Sequence, residues 1–181
     1  MSATAQAAQQ ASGVWSIDKV HSRVNYAIQH NSASTAYGSF RDVDATLEYG
    51  DDGVKVTGSV KVDSIDLNDE QQKGHVLSPE FFDAERHPTV DFESTAVRFE
   101  DGEAVVDGTL TIRGESKPVT VRGKIGQPFE NPYGGQNIAL TLSTTIDRTQ
   151  YGLDWQMNLP SGDPVLGKEV KVDVELELVK A

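Results

Sequence analysis

The sequence predicts an all-β protein: an eight-stranded antiparallel barrel with a short helical insertion. Three observations predict it. Roughly eight segments alternate apolar and polar residues with period two, and they run to about ten residues, where the strands of a two-sheet sandwich are nearer six. Glycine recurs inside the apolar rows at Gly58, Gly108 and Gly123, as expected where a sheet bends sharply or a ligand approaches the backbone. A barrel of about eight strands is also the smallest that can enclose a small ligand. A sandwich satisfies the same strands less well. No βαβ rhythm and no phosphate-binding loop is present.

Taken in order, residues 14–17 form a short strand that 18–22 break. Arg23–His30 alternates, with Val24, Tyr26, Ile28 and His30 on the inner face. Residues 31–35 read as a polar loop. Residues 40–49 carry the row Val43, Ala45, Leu47, Tyr49, and residues 50–53 (GDDG) form a hairpin turn. Val54, Val56, Gly58, Val60 and Val62 follow. Residues 68–88 are the one stretch with helical length and composition. Asn68 is the expected cap, Asp69 and Glu70 favour the positive helix start, and Ser78-Pro79 opens a second short helix. Phe81 and Phe82 make this a lid with two aromatic rings, which points to a protein that covers something apolar.

Val90 and Phe92 begin the next strand. Val97 and Phe99 continue it at changed parity, which predicts a bulge near 94–96. Residues 100–102 turn into the row Ala104, Val106, Gly108, Leu110, Ile112. Residues 114–118 connect to 119–125. A loop over 126–136 carries Phe129 and Tyr133, and Ile138, Leu140, Leu142, Thr144 and Ile146 form the following strand. Residues 147–168 are irregular and hold Arg148, Tyr151, Trp155 and Met157. The row from Val170 to Leu178 closes the chain.

A chain of 181 residues, 37% hydrophobic, suits one domain, expected over 13–181 behind a disordered tail at 1–12. The net charge of −12 argues against nucleic acid, since phosphate binding needs clustered Lys and Arg, and it disfavours attachment to an anionic membrane. With no cysteine, disulfides, thiolate chemistry and Cys-ligated metals are excluded. No apolar run is long enough to span a membrane. Residues 1–12 lack the basic start and apolar run of a secretory signal, so the expected location is the cytoplasm.

Several short motifs occur in a fixed order: Asp18-Lys19-Val20-His21-Ser22, Val24 and His30, Gly38-Ser39-Phe40, Val62-Asp63-Ser64-Ile65, His75-Val76-Leu77-Ser78 with Phe81-Phe82-Asp83, and Pro88. Residues 108–114 (GTLTIRG) and Ile146-Asp147-Arg148 with Tyr151-Gly152 complete the set. Each is weak alone. Together, across about residues 14–180, they resemble the YceI-like family of lipid-binding proteins. The resemblance implies an extended lipocalin-like barrel with a helix over it. It also implies a long isoprenoid chain (a polyprenyl quinone or phenol) or another long-tailed amphiphile in an elongated apolar channel. The chain departs from the family pattern in two places. Most members are exported, and His87 stands where an aromatic Tyr usually precedes Pro88.

The residues expected to bind the ligand are Tyr26, Ile28, His30, Phe40, Gly58, Phe81, Phe82, Phe92, Gly108, Leu110, Leu140, Arg148 and Trp155, with Met157 a further lining candidate. Each has a plainer reading. His30 points inward and either meets a ligand head group or is a buried histidine satisfied by a carbonyl. Arg148 either holds a head group or closes a salt bridge. His21 is a structural hydrogen-bonder at the strand entry. No HxH or HExxH pair suggests a metal, and no GxSxG elbow suggests a nucleophile. No cofactor is expected beyond the bound lipid. The reading is therefore non-catalytic binding for storage, transport or stress response. The alternatives are an enzyme acting on an amphiphilic lipid and a structural protein with a filled barrel. An exposed barrel edge leaves room for a homodimer.

Overall fold

The computed structural model describes residues 11–181. Its strands are β1 (Gly13–Ile17), β2 (Arg23–His30), β3 (Ser34–Phe40), β4 (Val43–Gly50), β5 (Gly53–Lys61) and β6 (Thr89–Glu100). They continue with β7 (Glu103–Ile112), β8 (Glu115–Ile125), β9 (Phe129–Glu130), β10 (Gln136–Asp147) and β11 (Leu166–Lys180). The helix α1 (Glu70–Leu77) lies between β5 and β6.

All pairings are antiparallel. The order β11-β1-β4-β5-β6-β7-β8-β10 returns to β11 and closes an eight-stranded barrel. The 15-residue β11 carries two partners along one edge: β1 opposite Leu178–Lys180 and β2 opposite Leu166–Glu175. A 3₁₀ turn at Lys19–His21 separates β1 from β2. Glu177 spans that break. Its carbonyl accepts from Asp18 N and Ser22 Oγ, and its own N–H donates to Ser22 Oγ. β1 thus closes the barrel at one end. At the other end β2 and β3 extend the wall as a hairpin.

The two ends differ inside. Trp15, Leu47, Ile138 and Leu178 are each 0% exposed and, with Leu140, Ala104 and Val106, fill the β1 end. Such packing has the density of an organic crystal. Trp15 Nε1 donates to the carbonyl of Ala11 at 2.8 Å, which satisfies the one polar atom of the indole. Ala11 was expected in the tail but is buried; residues 1–10 lie outside the described residues.

Several local expectations change. Residues 34–40 are a strand: β3 pairs with β2 from Val24↔Phe40 to His30↔Ser34, and the turn is confined to 31–33. The helix cap is Asp69, whose carboxylate accepts from Gln72 N at 2.7 Å, and not Asn68. No second helix follows Ser78-Pro79. Residues 78–87 form consecutive turns around buried Asp83, which takes φ +50°. β8 begins at Glu115, because Arg113 (φ +50°) and Gly114 (φ +74°) make a two-residue hairpin; Pro118 lies within the strand opposite Thr109. The bulge in β6 falls between Ser94 and Ala96.

Candidate functional site

Toward the β2/β3 end the barrel is hollow. A cavity of about 590 Å³ opens there, within the size range of small-molecule sites. Its wall is mainly apolar. β2 contributes Val24, Tyr26 and Ile28; β11 contributes Val170, Val172, Val174 and Leu176; β7 and β8 contribute Leu110, Ile112, Val119 and Val121. These are the inward rows set by the strand period, so each side chain reaches the cavity from a backbone fixed on both sides by ladder hydrogen bonds. Thr144 interrupts the row on β10, but its hydroxyl donates to Thr120 O at 3.0 Å.

Two aromatic clusters roof the cavity. Tyr26 and Phe40 have ring centroids 6.0 Å apart, and Phe82 meets Phe40 edge-on at 6.0 Å. His75 meets Phe81 and Trp155 edge-on, each at 5.1 Å, and Phe81 lies 5.5 Å from Trp155. Consecutive Phe81 and Phe82 thus tie the lid to two different walls. Arg113 fastens the same segment, donating to Phe81 O at 2.7 Å and to Gly152 O at 3.2 Å. Burial, helped by the nearby Asp66 charge, pushes the Tyr26 phenol above its ordinary pKa, so it stays protonated through neutral pH.

Of the thirteen residues singled out from the sequence, the structure brings eleven to this cavity: Tyr26, Ile28, His30, Phe40, Gly58, Phe81, Phe82, Phe92, Leu110, Arg148 and Trp155. His30 is exposed and stands at the rim, so the expectation of a buried, carbonyl-satisfied histidine does not hold. Two residues lie elsewhere. Leu140 is 1% exposed within the packed end, one rung beyond the cavity. Gly108 is not part of the cavity wall, because the Phe92 ring covers it; a β-carbon there would lie 2.5 Å from Phe92 Cζ. Met157 also faces away and is 59% exposed.

Arg148 is 2% exposed and does not form the expected salt bridge. Its guanidinium donates to backbone carbonyls: Gly167 at 2.7 Å, Trp155 at 3.0 Å, Leu166 at 3.3 Å, and Leu153. It is the post around which residues 148–167 fold, and burial lowers its pKa from the ordinary value. Asp147 caps the adjoining 3₁₀ turn through Thr149 N and Oγ1. His87 packs its ring over Gly114, where a β-carbon would sit 3.1 Å from His87 Cε1. His21 accepts its strand-entry role by bonding Asp18 at 2.8 Å through Nδ1.

Sequence reasoning missed Gln72, His75 and Val76 of α1, Ala36 and Tyr37 of β3, and the inner row of β11. The β11 alternation was visible, but every barrel strand has such a row. Only the strand register shows which rungs are hollow. Among the described residues no group of three or more His, Asp or Glu is placed to hold a metal ion, and no helix is long and apolar enough to cross a membrane.

The YceI-like domain matches residues 15–178, which is nearly all of the barrel. The chain belongs to the YceI-like family. Protein YceI of Salmonella newport is 35% identical over 171 residues, covering 92% of this chain and 86% of the relative. Among solved structures, this YceI-like chain resembles Burkholderia cenocepacia BcnA with a TM-score of 0.75 at 21% identity, covering 89% of this chain and 98% of that one. It resembles a polyisoprenoid binding domain from Saccharophagus degradans implicated in plant cell wall breakdown with a TM-score of 0.72 at 13% identity, covering 92% and 98%. At these identities the two structures speak for the fold of the YceI-like barrel.

Proposed function

We propose that this YceI-like protein binds a long-chain isoprenoid, a polyprenyl quinone or phenol, or a similar amphiphilic lipid. It acts by holding the ligand and not by transforming it, in storage, transport or a stress response. The observation that carries this reading is the 590 Å³ apolar cavity inside one end of a closed barrel, roofed by aromatic rings. The Saccharophagus degradans domain with the same fold, described as polyisoprenoid binding, supports the ligand class. The driving force is tail burial, about 0.8 kcal/mol per methylene removed from water. Polar groups line the cavity, Tyr26 on its wall and the exposed His30 at its rim, where a head group would rest. The buried arginine favours binding over catalysis, since its donors already serve backbone carbonyls.

The test is organic extraction of the protein purified from its native host, followed by mass spectrometry. A stoichiometric long-chain lipid is the expected result. A well-folded protein whose extract is empty, and which takes up no added prenol, overturns the reading.

A further inference from the structure

We propose that the packed β1 end is a fixed floor that sets the length of tail the protein accepts, with Leu47 and Leu140 as the length-determining residues. The proposal rests on the lipid-binding reading above.

The cavity stops within one inward residue on each of three strands that are far apart in sequence. On β4, Ala45 lines the cavity and Leu47, the next inward residue, is 0% exposed and does not. On β10, Leu142 lines it and Leu140, 1% exposed, does not. On β11, Leu176 lines it and Leu178, 0% exposed, does not. The ladder makes the floor oblique: Leu140 pairs with Leu176 and Leu47 with Val56, both of which still line the cavity, while Trp15, the other partner of Leu47, does not.

The rung just above the floor is made small. Ala45 pairs with Gly58, and a β-carbon on Gly58 would meet nothing closer than the Asp44 carbonyl at 3.7 Å. That small pair leaves space for the end of a chain directly over Leu47. The floor itself is held on both sides of Trp15. The indole N–H is bonded to Ala11, and the Lys180 ammonium lies 5.5 Å from the ring centroid. A packed interior of this kind resists even one added methylene. Tail carbons in excess of the cavity depth therefore stay outside it and add no affinity. Below that depth each further methylene tightens binding about fourfold.

Two substitutions move the floor in opposite directions. Leu140→Ala deepens the cavity. Ala45→Leu raises its bottom by adding atoms at a residue that lines the cavity, and it deletes no side-chain atom from the core. Lipid-free full-length protein is incubated with an equimolar mixture of farnesol, geranylgeraniol and solanesol in detergent, re-isolated and extracted, and the bound prenols are quantified. Folding of each variant is checked by thermal melting. Leu140→Ala is expected to raise the ratio of the longer to the shorter prenols about tenfold, and Ala45→Leu to lower it about as much. A folded Ala45→Leu variant with the wild-type ratio overturns the proposal, whatever Leu140→Ala does to stability. Wild-type protein that retains no prenol overturns the isoprenoid reading itself, and the floor proposal with it.

Discussion

The ring of Tyr26 lies across the backbone of Gly38, so closely that a β-carbon at Gly38 would sit 2.2 Å from the tyrosine oxygen and 2.3 Å from Cζ. The two residues are direct partners across β2 and β3. An aromatic ring laid over a glycine compensates for the side chain the strand lacks and fixes the ring's position. Here it holds the phenol against the cavity wall and beside Phe40. Gly38→Ala is expected to cost about 1–3 kcal/mol in denaturant unfolding. In a Tyr26→Ala background most of that cost should vanish, since the clash is with the ring. A double-mutant cycle in which the two losses simply add would show that the ring does not dictate the glycine.

Gly58 and Gly108 occupy similar places in their rows yet should respond oppositely to alanine. At Gly108 the new carbon would meet Phe92 at 2.5 Å and the Glu93 carbonyl at 2.6 Å, and a backbone carbonyl cannot swing away. Gly108→Ala is expected to destabilise the protein by about 1–3 kcal/mol. At Gly58 the space is open, and the unfolded chain loses freedom. Gly58→Ala should be neutral or stabilising by up to about 1 kcal/mol. Urea midpoints of the two variants check both signs. Equal destabilisation would mean that the rungs at Gly58 are as tightly packed as those at Gly108.

These glycines also show how much the sequence could reveal. Three glycines within apolar rows marked either a sharp bend or a close approach, and the sequence alone treated them alike. At Gly123 the approach is to the opposite strand, with a β-carbon 1.9 Å from the Thr141 carbonyl; at Gly108 it is to a ring; at Gly58 it is to empty space. Period-two rows set the strands, and the parity change at Ser94/Ala96 set the bulge, because both are local. β3 was missed because it is a strand held along one side, built from Ser34, Thr35, Gly38 and Ser39 with few branched residues. The separation of Leu142, in the cavity, from Leu140, in the floor, is a property of eight strands in register. The role of Arg148 was equally hidden, since its acceptors are backbone carbonyls and leave no trace in side-chain chemistry.

The Asp18–His21 pair gives a titration that can be read directly. The hydrogen bond to His21 lowers the Asp18 carboxyl from its ordinary 3.8, and the bond to Asp18 raises the His21 imidazole from its ordinary 6.5. A raised histidine contributes stability that is complete below 6.5 and lost as the pH rises through its folded value. A depressed carboxyl contributes above 3.8 and loses its contribution as the pH falls through its folded value. The pair therefore supports the 3₁₀ turn between those limits. An NMR titration should find the His21 midpoint above 6.5, and Asp18→Asn should return it toward that value. A midpoint at or below 6.5 in the wild type would show that the bond does not persist in solution.

Removal of the Arg148 guanidinium strands the carbonyls of Leu153, Trp155 and Gly167, whereas the Leu166 carbonyl keeps the bond from Gln156 Nε2 at 2.7 Å. Buried acceptors left without donors cost about 1–3 kcal/mol each, and donors that carry charge form the stronger bonds. Arg148→Met, which keeps much of the apolar stem, is expected to lower stability by at least about 3 kcal/mol. Hydrogen exchange should quicken first in residues 148–167, ahead of the sheet. Lysine cannot substitute, because its single ammonium does not offer the planar fork that reaches carbonyls on both sides. Wild-type stability in Arg148→Lys would argue that one or two of these bonds carry the effect.

The two tryptophans report on opposite ends of the barrel. Trp15 is 0% exposed in the floor, whereas Trp155 is half-buried at the roof of the cavity, against His75 and Phe81. A lipid tail entering the cavity removes water from Trp155 and leaves the surroundings of Trp15 unchanged. Loading with geranylgeraniol should therefore move the emission to shorter wavelength in wild-type protein and in Trp15→Phe, but not in Trp155→Phe. The substitution at 155 keeps an aromatic ring against Phe81, so the lid contact survives while the reporter is lost. A shift that persisted in Trp155→Phe would place the tail near Trp15, which requires the floor to open on binding. That outcome would separate a barrel with a rigid floor from one whose packed end yields to the ligand.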